Sequence, residues 1–173
     1  MTESEFPAPQ SGFVVTHFLV VSDQDRSREF YRSVFGATVL LERDPVIMKM
    51  ANSWLILNVG GGPTDDKPTV TLTPPIDPDR TSAFMNLRVA DIAACYAEWS
   101  AKGAEFLTEP KVHATEIRAY IRDPDGHLIE VGRVGGPMCH VRLHVHTAEA
   151  SPEPIRHRSN RVPCDRETGV TAR

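Results

Sequence analysis

Residues 13–36 read FVVTHFLVVSDQDRSREFYRSVFG, and residues 82–103 read SAFMNLRVADIAACYAEWSAKG. The second stretch repeats the plan of the first. Each is an apolar run closing on Val-x-Asp (Val21-Ser22-Asp23 and Val89-Ala90-Asp91). Each continues as an amphipathic stretch carrying aromatics (Phe30 and Tyr31; Tyr96 and Trp99) and leaves through Gly-Ala (Gly36-Ala37, Gly103-Ala104). Asp23 and Asp91 lie 68 positions apart, too far for a solenoid unit and about half a domain. The repeat implies one fold of two similar modules with a site held between them.

Working outward, the β-branched and aromatic content of 13–21 predicts a strand. Asp23 or Ser22 then caps a helix with Phe30, Val34 and Phe35 on one face. Strands are expected at 37–41, 46–50 and 54–59, separated by the turn signals Asp44-Pro45 and Asn52-Ser53. Residues 60–81 are a linker dense in Gly, Pro and Asp, with a short strand at 70–73. The second module repeats the order: a strand at 83–89, a helix from the Asp91 cap through Lys102, then strands at 104–107, 117–121 and 128–131. The last two are joined by the turn sequence Asp-Pro-Asp-Gly, 123–126. A helix covering one face of each small sheet leaves the other free. Two such sheets side by side curve into an α+β fold, an open, partly closed barrel with a concave inner face.

The bulk of the chain agrees. At 173 residues one domain is the default, and the net charge of −4 and pI near 6.0 argue against a nucleic-acid face. No apolar run approaches the ~18 residues that span a bilayer. The N-terminus has acids and prolines where a signal peptide needs a basic and then an apolar segment. Cys95, Cys139 and Cys164 are odd in number and widely spaced, which indicates no disulfide framework and fits a reducing cytoplasm. The expected organisation is a flexible arm at 1–12, a domain at 13–133 (modules 13–59 and 82–133, linker 60–81) and a disordered tail at 134–173. Within the tail, 141–146 alternates strictly and could add an edge strand.

The stretches SDQDRSREFYRSVFGA (22–37) and RDPDGHLIEVG (122–132), set in a duplicated β-α-β-β-β plan, resemble the vicinal oxygen chelate superfamily. Its members include glyoxalases, extradiol dioxygenases, epimerases and bleomycin-binding resistance proteins. The resemblance implies a homodimer and one divalent metal (Fe, Mn, Zn or Ni) on the concave face. Its ligands would be a His from the first strand of each module and a Glu from the last strand of the second. Glu130, four residues after Gly126, stands where the family's Glu stands. The first-strand positions, five before the Val of Val-x-Asp, are Thr16 and Phe84, and the last strand of the first module offers Ile56. His17 is one residue late, so a bulge would have to turn it inward to join Glu130 as a ligand.

By strand alternation the concave face should carry Thr16, Phe18 and Val20, then Trp54, Ile56 and Asn58, with Phe84, Asn86, Arg88, Leu128 and Glu130 opposite. An apolar pocket with a few convergent polar groups describes a small-molecule site. The expected ligand-binding set is Thr16, Phe18, Trp54, Asn58, Phe84, Asn86, Arg88 and Glu130, with Arg88 the partner of Glu130. Three readings follow: metal-free binding of a small organic molecule, as in the resistance branch; a metal-dependent lyase, isomerase or extradiol dioxygenase holding its ion on Glu130 and His17; or, third, a scaffold with an inert pocket. No catalytic residue is assigned. Cys95 reads as a small buried hydrophobe, His127 as a solvated turn residue, and Arg26, Arg28 and Arg32 as a solvated helix face. The loop 60–66 lacks the Gly-Lys-Ser/Thr that a phosphate loop needs. The His and Cys residues of the tail match no zinc-finger spacing.

Overall fold

The computed structural model describes residues 6–135; the tail, its 141–146 stretch and the first five residues lie outside the described residues. The first module is β1 (His17–Val21), α1 (Gln24–Phe35), β2 (Thr38–Leu41), β3 (Val46–Met50) and β4 (Ser53–Val59). Its sheet runs β1-β4-β3-β2, with β1 parallel to β4 and the other pairs antiparallel. The second module is β5 (Met85–Arg88), α2 (Ile92–Ala101), β6 (Glu105–Phe106), β7 (Lys111–Val112), β8 (Glu116–Arg122) and β9 (Leu128–Val134). Its sheet runs β5-β9-β8-β6, with β5 parallel to β9 and the two-residue β7 added on β8. The sheets do not close on each other, so the barrel is open.

The helices begin where the sequence places them. The Asp23 carboxylate accepts the backbone N–H groups of Asp25 and Arg26, and Asp91 does the same for Ala93 and Ala94. Gly36, at φ 69°, takes the left-handed conformation that ends α1. Under α1 pack Leu19, Val21, Val46, Met48, Leu55 and Leu57; the second module buries Met85, Ala119, Ile121, Ile129 and Val131. Phe35 of α1 meets Trp99 of α2 edge-on, ring centroids 4.9 Å apart, so the modules share one apolar core.

Three expectations need correction. β1 starts at His17 rather than at 13: its first ladder partner is Leu55, and among the described residues no strand pairs with 13–16, whose contact with β4 is the Ser53 hydroxyl donating to the Val15 carbonyl; Phe13 and Val15 are exposed. The buried side of α1 is Gln24, Ser27, Tyr31 and Val34, with Phe30 and Phe35 at its border. The linker stretch 70–73 forms no strand and contributes one bridge, Leu72 to Gly61.

The β8–β9 turn does more than reverse the chain. Asp125 accepts the Ser22 N–H (3.0 Å), the Ser22 hydroxyl (2.5 Å), the Arg26 guanidinium (2.9 Å) and the Ser27 hydroxyl (3.1 Å). Asp123 accepts the fully buried Tyr31 hydroxyl at 2.9 Å, together with the N–H groups of Asp125 and His127. His127 donates its Nε2–H to the Val20 carbonyl at 2.8 Å, so it is a partly buried structural group, not a solvated one. Arg26 likewise holds the other module rather than standing free in water. This clasp fixes the second sheet against the N-terminal end of α1. Burial pushes both the Tyr31 phenol and the Asp123 carboxyl above their ordinary ranges. No helix among the described residues is long and apolar enough to cross a membrane.

Candidate functional site

On the first module the face away from α1 is read from the ladder. Phe18 pairs with Ile56 and Val20 with Asn58, while Ile47 and Lys49 of β3 pair with Ile56 and Trp54. These are the residues the alternation predicted, joined by Lys49, whose ammonium lies 3.5 Å from the Trp54 ring centroid. Asn58 is drawn toward α1, where its side-chain oxygen accepts from Gln24 Nε2 at 3.5 Å. Thr16 precedes β1. His17 pairs with Leu55 and shares its face with Leu19 and Leu57, and the β1–β4 register runs without a shift. The bulge that would turn His17 inward is therefore not in this ladder.

The second module carries the polar half. Asn86 pairs with Glu130 and Arg88 with Gly132 across β5 and β9, while Tyr120 of β8 flanks Glu130 on its other side. Glu130 is only 5% exposed. One of its oxygens accepts from Asn86 Nδ2 at 2.5 Å and the other from the Tyr120 hydroxyl at 2.6 Å. Its expected partner Arg88 stands farther off, at 3.9 Å, and makes its close pair with Glu116 at 2.9 Å. Arg118 also meets Glu116, at 3.0 Å. The missing Cβ of Gly132 is what lets the Arg88 guanidinium lie across the sheet, since a methyl there would collide with it.

The charges balance inside this group: two carboxylates face two guanidinium groups. Arg88 first, then Arg118, holds the Glu116 carboxyl below its ordinary value. The bond to Glu130, then burial, pushes the Tyr120 phenol up, so the hydroxyl stays protonated and donating. Phe84 precedes β5, is 46% exposed and meets Tyr120 edge-on with centroids 6.3 Å apart. Phe84 and Glu130 thus belong to one wall, both meeting Tyr120. Tyr120, Glu116 and Arg118 were missed in the sequence, although their spacing of two along one strand signals a shared face. Among the described residues no three His, Cys, Asp or Glu side chains come together as a metal-binding group.

Comparison with known proteins places this geometry in a family. The Glyoxalase/Bleomycin resistance protein/Dioxygenase superfamily model matches residues 14–131. A lactoylglutathione lyase of Arabidopsis thaliana is 31% identical over 135 residues, covering 72% of this chain and 46% of its own length. The chain thus spans about half the length of that relative. Among solved structures, a glyoxalase/bleomycin resistance protein/dioxygenase from Nocardioides superposes with a TM-score of 0.57 at 21% identity, over 75% of this chain and 90% of its own. TnmS3, an antibiotic binding protein from a Streptomyces species, gives 0.52 at 19% identity over 74% of this chain and all of its own. With the family model covering both modules, the chain belongs to the glyoxalase/bleomycin resistance protein/dioxygenase superfamily, the vicinal oxygen chelate fold.

Proposed function

We propose that this protein binds a small organic molecule on its concave face and does so without a resident metal. The observation that carries the reading is the state of Glu130. Its two oxygens are each held by a side-chain donor, Asn86 and Tyr120. A divalent ion needs several N or O ligands converging on one point. Here the matching positions hold Ile56 and Phe84, and His17 lies on the helix side of its sheet. The donor set does not fit such an ion. What Glu130 offers instead is a fixed acceptor: a carboxylate has about four lone-pair sites, and two are taken. The Tyr120 oxygen, having donated, also accepts. The site therefore suits a ligand with hydroxyl or amine donors and an aromatic body for Phe84 and Phe18, which are about half exposed.

The test is a thermal-shift screen with aromatic amines, diphenols and α-keto acids, run before and after chelation. The reading expects donor-bearing aromatics to raise the midpoint equally in both arms, and Glu130→Gln to weaken amines more than neutral compounds. Hits that vanish on chelation would overturn it. The metal-dependent lyase, isomerase or dioxygenase reading draws its support from the lactoylglutathione lyase relative, and a chelation-sensitive hit would favour it. We also read the protein as a homodimer, with the exposed Phe13 and Val15 beside β1 as the apolar surface for pairing. A concentration-independent monomer by sedimentation would exclude that.

A further inference from the structure

A cavity of about 220 Å³ lies at the seam of the two modules, between β1 and the residues that open β5 and β9. Phe18, Phe84 and Leu128 give it apolar walls; Thr73 of the linker, His17 and His127 are its polar groups, with Tyr31, whose hydroxyl is held by Asp123. His127 is committed to the Val20 carbonyl. That bond shows which way the free edge of β1 points. Groups two apart along a strand face the same side, so the N–H and C=O of Phe18 and the N–H of Val20 also point into the seam. None of these has a backbone partner among the described residues. His17 has no hydrogen-bond partner among them either.

We infer that this seam is a second binding site, for a small hydroxyaromatic molecule whose ring lies between Phe18 and Phe84 and whose hydroxyl meets the His17 imidazole and the free edge of β1. The size fits: an apolar cavity of ~150 Å³ takes one benzene ring, so this one takes a ring with a small substituent. The polarity fits as well. Burial, then the neighbouring His127, holds His17 below its ordinary value of 6.5, so near neutral pH the ring is uncharged and offers one donor and one acceptor. A hydroxyl supplies the complementary pair, whereas no carboxylate or guanidinium lines the cavity to select an ion. Phe18 and Phe84 are shared with the concave-face reading, whereas Glu130 is no part of this wall, so Glu130→Gln separates the two sites.

The probe is 4-methylphenol, titrated into the full-length protein and followed by the NMR resonances of the His17 ring, with toluene as the ring lacking the hydroxyl. Saturable shifts at His17 are expected, with affinity unchanged by Glu130→Gln. His17→Leu should weaken 4-methylphenol about tenfold, the scale of one lost neutral hydrogen bond, and leave toluene unaffected. His17→Gln, which keeps a donor and an acceptor, should recover most of the loss and serves if the leucine variant does not fold. No saturable shift at His17, equal losses for both probes, or a loss on Glu130→Gln would each overturn the inference.

Discussion

Removing a single oxygen from Tyr31 should loosen the two modules measurably. Tyr31 is fully buried on α1, and its hydroxyl donates at 2.9 Å to Asp123, itself 4% exposed on the β8–β9 turn of the other module. Tyr31→Phe keeps the ring and its packing but leaves one Asp123 oxygen without its side-chain donor. The other oxygen keeps the N–H groups of Asp125 and His127. A hydrogen bond to a charged group contributes about 1.5–3 kcal/mol, and an acceptor left buried cannot recover the loss from water. The expected cost is therefore about 2 kcal/mol. In urea, with a slope of about 2 kcal/mol/M, that moves the midpoint down by about 1 M at constant slope. Tyr96→Phe is the control: its ring packs edge-on with Phe106, but its hydroxyl has no partner among the described residues, and a change within about 0.5 kcal/mol is expected. A Tyr31→Phe protein as stable as the Tyr96 control would refute the clasp as the element that fixes the sheets.

Other consequences follow from the same geometry. Phe84→Ala should weaken an aromatic ligand of the concave face by about 1–3 kcal/mol through lost apolar contact, read by calorimetry; an unchanged affinity would remove Phe84 from the site. Because the folded His17 lies below 6.5 and the unfolded chain takes up its proton near 6.5, the unfolded state binds more protons as pH falls through that value. Stability should therefore drop from pH 7.5 toward 5.5, and His17→Leu should flatten that part of a denaturation profile. Gly132→Ala should displace the Arg88 guanidinium and let the Glu116 carboxyl titrate nearer its ordinary value by NMR. Since Arg88 is half exposed, the pair is screened by water and stability should change little.

Local chemistry was legible in the sequence, and long-range chemistry was not. Asp23 and Asp91 announced their helices because a cap is made within three residues. The alternation of β1 correctly set Phe18 and Val20 apart from His17, since a period of two leaves no freedom once the register is fixed. The role of Asp-Pro-Asp-Gly-His escaped, because as sequence it is only a good turn. Its bonds reach Ser22, Ser27, Tyr31 and Val20 about a hundred residues away. Tyr31 was passed over for Phe30 for the same reason: a hydroxyl looks exposed until Asp123 is placed beside it. Residues 13–16 have the composition of a strand but no ladder partner among the described residues, and composition cannot supply one. Glu130 was singled out by its place after Gly126 and Asn86 by alternation, whereas their pairing with each other and with Tyr120 comes from a ladder that only the folded sheet reveals.

Glu130, held by Asn86 and Tyr120, should serve as a hydrogen-bonding anchor and not as a metal ligand. Elemental analysis of the protein, purified without a metal-affinity tag and dialysed against a metal-free buffer, tests it most directly. Far less than one equivalent of any divalent metal is expected, the same in Glu130→Ala, with an unfolding midpoint indifferent to chelator. One tightly bound equivalent that is lost on Glu130→Ala would contradict it.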